Sequence, residues 1–160
     1  MVKDESRVPE ILKQLKLLNN KRVRVGVFSD EIGLVAGVNE FGAKIKVTDK
    51  MRAYLHSIGL HLKDTTKFIV IPERSFLRST FDNKKVIDSV FERGEDVFFN
   101  DFNVLKMLDV IGKSMGEKIK IKISSNIKPE NHPFTIIKKG SNKTLVDKGS
   151  LEKSITYEVK

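Results

Sequence analysis

Val8, Ile11, Leu12, Leu15 and Leu18 recur at helical spacing, with Lys13, Gln14 and Lys16 on the other side. This pattern predicts an amphipathic first helix, which Ser6 and Pro9 start and Asn19-Asn20 stop. Val23, Val25 and Val27 then alternate with Arg22, Arg24 and Gly26, the period of a strand with one buried face. After a turn near Ser29-Asp30, residues 32–41 read as a short helix, and Gly42 suits a left-handed cap that a Cβ would penalise. Residues 43–47 and 67–71 are short strands, the second rich in β-branched side chains. Between them Thr48-Asp49 can cap a helix carrying Met51, Tyr54, Leu55 and Ile58, which Gly59 can end. The segment is a hairpin with a helical excursion at its tip. An excursion of this kind lies outside the core and is expected to contact something.

Pro72 ends the strand, and residues 75–82 and 84–91 read as helix, either one with a break or two. Phe98, Phe99 and Phe102 fall near the next helix start. Val104, Leu108, Ile111, Met115 and Ile119 form the clearest helical stripe in the chain. Residues 119–123 alternate like a strand but also continue that stripe, and the helix is expected to run to about Ser125. Residues 128–148 form a long segment rich in Pro, Gly, Asn and Ser, of the length that is usually functional or mobile, with one helical turn at 133–139 closed by Gly140. Ile155, Tyr157 and Val159 alternate as a terminal strand. No repeat or linker divides the chain. The order predicts a single α+β domain over residues 1–160, with a small antiparallel or mixed sheet packed with several helices. Residues 48–59 would be a contact arm and residues 128–148 a long loop.

Composition narrows the class. The 160 residues suffice for one core, and 39% hydrophobic with 32% charged residues fits a polar-surfaced globular protein. No apolar run approaches the roughly 20 residues needed to span a bilayer, so no membrane partner is expected. The start, Met1 to Arg7, reads as the lead into a charged amphipathic segment and not as a signal peptide. The absence of cysteine removes disulfides and thiolate metal sites and suits a reducing cytoplasm. The net charge of +9 favours nucleic acid, an acidic surface or an acidic protein, or serves solubility, because the basic residues are scattered.

Candidate chemistry is sparse. Gly112-Lys113-Ser114 resembles the tail of a phosphate-binding loop, but Met107 stands where the first glycine belongs, and the match lies inside a strong helix. Lys143-Thr144 fails in the same way, with Asn142 and Ile137 at the glycine positions. His56, His61 and His132 have no metal-ligand spacing and are expected at the surface or in turns. No carboxylate pair or serine elbow is recognisable, and no catalytic, cofactor or metal residue is assigned. Phe98, Phe99 and Phe102 lack interleaved basic residues and are expected in the core rather than as a base-stacking platform. Lys118, Lys120 and Lys122 read as a solvated surface, since Lys118 and Lys122 would share a helix face while Lys120 points elsewhere.

Four segments in order resemble the virion-morphogenesis group of phage neck and tail-completion proteins. They are Val23-Arg-Val-Gly-Val-Phe28; Val38-Asn-Glu-Phe-Gly42, similar to an "hEFG" helix end; Ile71-Pro-Glu-Arg-Ser-Phe-Leu-Arg78, similar to "IPaRpFlR"; and the stretch from Lys139-Gly-Ser to Ile155, similar to "KGS…plidTG.L..SI". Ser75 stands where that group has proline, and Lys148 where it has threonine. The resemblance implies a non-enzymatic structural protein that joins the head's portal complex to the tail or completes the tail end. It implies a ring of six or twelve copies around the DNA path, located in the virion neck and assembled in the host cytoplasm. Implied partners are portal, adaptor or stopper proteins, tail terminator or tail-tube proteins, and genomic DNA passing without sequence specificity. The residues it marks for family motifs or an assembly interface are Glu40, Phe41, Gly42, Arg74, Phe76, Leu77, Arg78, Lys139, Gly140, Asp147, Gly149, Leu151 and Ser154. Arg74 and Arg78, four apart, would share a helix face able to meet a neighbour's carboxylates. Phe76 and Leu77 would be core or an interface anchor. A ring needs two different complementary patches per copy, for which residues 48–59 and 128–148 are the candidates. Alternatives are a tail terminator, a basic nucleic-acid-binding domain, or a small hydrolase or transferase with an unrecognised site.

Overall fold

The computed structural model describes residues 6–160; the first five residues of the charged start lie outside the described residues. The fold is α+β, with two separate two-stranded antiparallel sheets. It begins with helix α1 (Val8–Leu18), strand β1 (Val23–Val27) and helix α2 (Asp30–Phe41). Strands β2 (Ala43–Lys46) and β3 (Phe68–Ile71) then enclose helix α3 (Asp49–Ser57). Four helices follow: α4 (Arg78–Phe81), α5 (Lys84–Asp101), α6 (Val104–Ser124) and α7 (Pro133–Lys139). A short helix α8 (Ser150–Lys153) leads into strand β4 (Ile155–Val159).

The centre is α6. Its apolar stripe buries Val104, Leu108, Met115, Ile119 and Ile123, and each such side chain removed from water contributes roughly 1.5–3 kcal/mol. One flank of α6 packs against α5 and another against the β1–β4 sheet. In that sheet β1 and β4 pair from Val23↔Val159 to Val27↔Ile155, so the first and last strands of the body close the domain. Close approach of helix and sheet depends on Gly112, where an added Cβ would stand 2.4 Å from Cδ2 of Tyr157. The phosphate-loop look-alike is thus a packing glycine inside a helix. Tyr157 also donates its hydroxyl to Asp109 of α6 at 2.8 Å, and this bond, with burial, raises its pKa.

The arm follows the expected plan. Lys44 pairs with Val70 and Lys46 with Phe68, and the Thr48 hydroxyl caps α3 by accepting from the Met51 N–H at 3.2 Å. Arg52 then fastens the tip, donating to the carbonyls of Leu62 (3.3 Å), Lys63 (3.0 Å) and Thr66 (2.9 Å). The return chain after α3 is therefore held by a side chain, although it contains no regular structure.

Several expectations need correction. Residues 75–77 are not helical, and only Arg78–Phe81 makes a turn of helix before Asn83 starts α5 afresh. Helix α5 runs on to Asp101, so Phe98 and Phe99 close one helix instead of opening the next. Phe102 caps that helix in the left-handed region at φ 46°, and Asn103 caps α6. Phe99 is 68% exposed, not core; Phe98 and Phe102 are half-buried and meet edge to face. Gly42 has the positive φ expected of it (71°), but with ψ at 170° it leads directly into β2 rather than forming a left-handed cap.

A candidate assembly site built around Glu40

Helix α2 ends in Asn39, Glu40 and Phe41, and the chain then turns through Gly42. A Cβ at Gly42 would stand 2.9 Å from the Ile71 carbonyl oxygen and 3.0 Å from the Glu73 nitrogen, so only glycine lets the two segments meet. Beside this turn the Arg74 N–H donates to the Asn39 carbonyl at 2.7 Å. The second and third motifs are therefore in contact although more than thirty residues separate their centres.

The contact is organised by the Glu40 carboxylate, which is 2% exposed. Its Oε2 accepts from the N–H groups of Phe76 and Leu77, both at 2.8 Å. Its Oε1 accepts from the Ser75 hydroxyl at 2.7 Å, the Arg78 N–H at 2.9 Å and Arg78 Nε at 3.2 Å. Three consecutive backbone N–H groups thus converge on one anion just where α4 begins, at donors that a helix start leaves without intrahelical acceptors. Burial would raise the Glu40 pKa, but the Ser75 hydroxyl and the backbone donors of Leu77, Arg78 and Phe76 outweigh it and hold the carboxyl below its ordinary value. A carboxylate so engaged clasps two segments and has no free face with which to take a substrate proton. Ser75 departs from the resembled pattern, yet its hydroxyl gives the clasp a donor that proline lacks.

The arginines are spent inside the chain. Arg74 is not on a helix; it is buried and donates from Nε to the Pro129 carbonyl at 2.7 Å and from Nη2 to that of Glu130 at 3.1 Å. Arg78 donates from Nη2 to the Glu40 carbonyl at 3.0 Å and to Glu73 at 2.7 Å, and its guanidinium lies over the Phe41 ring at 4.7 Å. The expected shared helix face aimed at a neighbour's carboxylates does not exist. Phe76 is wholly buried in the main core, Leu77 is half-buried against it, and Phe41 is 66% exposed.

The C-terminal motif packs beside α2. Gly140 ends α7 in the left-handed region, and Lys139 donates from Nζ to the Lys143 carbonyl at 2.7 Å. Burial lowers the Lys139 pKa; Asp147 opposes this and nearby Arg74 reinforces it. Gly149, at φ 75°, starts α8; Leu151 is buried; and the Ser154 hydroxyl donates to the Leu151 carbonyl at 2.7 Å. Lys139, Asp147 and Leu151 line a cleft of about 280 Å³ with Ile32, Val35 and Asn39 of α2. The cleft thus brings Lys139, Asp147 and Leu151 against the same helix whose end carries Glu40.

Elsewhere, His56 and His61 stack edge to face with centroids 4.3 Å apart, and His132 caps α7 by accepting the Phe134 N–H at 3.2 Å. Among the described residues no three His, Cys, Asp or Glu side chains are grouped to hold a metal, and no helix is long and apolar enough to cross a membrane. Lys118, Lys120 and Lys122 are each half-buried on α6. Sequence reasoning found Glu40 and Ser75–Arg78 as separate motifs but missed that one residue ligates the other segment. It missed Arg52 altogether, because a side chain that braces backbone carbonyls leaves no periodic trace. Comparison of the chain with protein-family models, curated proteins and solved structures found no match.

Proposed function

We propose that this chain is a non-enzymatic structural protein of a phage or prophage neck, which joins the head's portal complex to the tail or completes the tail end. It would act as a ring of copies around the DNA path. The observation that carries this reading is the Glu40 clasp. Two of the resembling motifs, distant in sequence, are chemically one unit, as expected if they descend together as a structural element. The polar residues singled out in them are consumed in holding the scaffold rather than displayed around a cavity, which suits a protein that works by shape and surface.

Portal or adaptor proteins on one side and tail terminator or tail-tube proteins on the other are the partners this reading implies. The net charge of +9 fits acidic protein neighbours better than a DNA-facing lumen, since a strongly basic channel would grip the genome and slow its passage. Deleting the gene from the phage that encodes it tests the proposal. Filled heads and separate tails that fail to join, rescued by the chain supplied in trans, are expected. Normal yields of joined, infectious particles would overturn it.

A further inference from the structure

The β1–β4 sheet is too narrow for the helices beneath it. It packs on α6, while among the described residues no third strand extends it over the neighbouring α5. The uncovered strip is an apolar groove of about 350 Å³, with Ile87, Val90, Phe91 and Met115 in its lining, Val23 and Val25 of β1 along one border, and the two basic residues Lys21 and Arg22 at one end. Arg22 and Lys160 exchange both backbone hydrogen bonds, at 2.8 and 2.9 Å. Antiparallel alternation then turns Arg24 and Gly26 towards β4 and leaves the N–H and C=O groups of Val23, Val25 and Val27 on the groove side. This edge has no proline or bulge, so it is a template for another strand.

The arm carries a matching strand. Val47 donates to the Lys67 carbonyl at 2.9 Å, so by the same alternation Phe68 and Val70 direct their backbone groups to the outer edge of β3. Their side chains are also exposed, 45% and 66% respectively. Charge is complementary along the α5 side of the groove, away from Lys21 and Arg22. Residues 43–71 hold six lysines and arginines against two aspartates. Helical spacing places Asp88, Glu92 and Glu95 of α5 on one stripe just outside the groove, all exposed and none in an ion pair among the described residues.

We propose that the β2–β3 hairpin of one copy adds to the free edge of β1 in a second copy. Phe68 and Val70 enter the groove, and Lys44 and Lys46 on the outer strand reach the carboxylates of α5. The two sheets thereby become one four-stranded sheet across the contact. The patches differ, so the contact is head-to-tail and propagates into a ring or an open chain. This inference rests on the self-association in the neck reading and supplies its contact.

Because the chain has no cysteine, single-cysteine variants report cleanly. Val70→Cys and Phe91→Cys proteins are mixed and treated with a short bismaleimide, with Glu117→Cys, beside the outer edge of β4, as the comparison for Phe91→Cys. The expected result is a Val70–Phe91 cross-linked dimer about tenfold over the Glu117 pairing, lost on adding Glu92→Lys and regained with Lys46→Glu in the arm-bearing copy. Cross-links of Val70 to Glu117 or to itself, or none, would overturn the contact, whatever the gene deletion shows. A Val70–Phe91 dimer together with infectious deletion particles would instead leave the contact standing and remove the neck role.

Discussion

The Glu40 clasp and the β2–β3 arm adjoin in sequence and are built on opposite principles. In the clasp, five donors converge on one buried carboxylate, and each arginine finds its acceptors within the chain. In the arm, Arg52 braces the tip and Lys44 lies over the Phe68 ring, while Phe68, Val70 and Tyr54 stand exposed and the outer strand edges are open among the described residues. A two-stranded ribbon is marginal by itself. The difference separates what maintains the fold from what is left for a partner.

The comparison breaks first at Glu40. Replacing it with Ala leaves three backbone N–H groups and the Ser75 hydroxyl without their shared acceptor, and should cost about 3–5 kcal/mol in urea unfolding. A loss under about 1 kcal/mol would mean that the clasp is ornamental. Next come the close approaches. Gly112→Ala drives a methyl into the Tyr157 ring and Gly42→Ala into the β3 backbone, each expected to cost about 1–3 kcal/mol by thermal unfolding.

The clasp also predicts an acid dependence. The Glu40 carboxyl is held below its ordinary value of 4.5 in the folded chain. Its contribution is therefore full above that value and is lost as pH falls from there through the lowered folded pKa. Unfolding free energy followed across this window should fall with acid in the native chain and more shallowly in Glu40→Gln. Equal slopes would remove Glu40 as the cause. The smallest effect belongs to the arm. Val70→Ser should change folding stability by no more than about 0.5 kcal/mol while weakening self-association in sedimentation. A large loss of stability would place Val70 in the fold after all.

Much of the fold was legible because its signals are local. The alternation of Val23, Val25 and Val27, the stripe from Val104 to Ile119, and the Thr48 cap each report one element through its own neighbours. The helix expected over residues 75–82 is present only as Arg78–Phe81, and the Glu40 carboxylate that meets the N–H groups at its start comes from thirty-odd residues away, which local pattern does not encode. Phe99 misled because aromatic content alone does not say which face of α5 is covered. Arg74 and Arg78 stand out as a pair by their spacing, but their partners at Pro129, Glu130, Glu40 and Glu73 are set by tertiary structure that spacing does not encode.

The most direct test of the neck reading is cryo-electron microscopy of particles from the encoding phage or prophage, with this chain located in the density. The account predicts a ring of copies between portal and tail tube. Complete particles in which the chain is absent would contradict it.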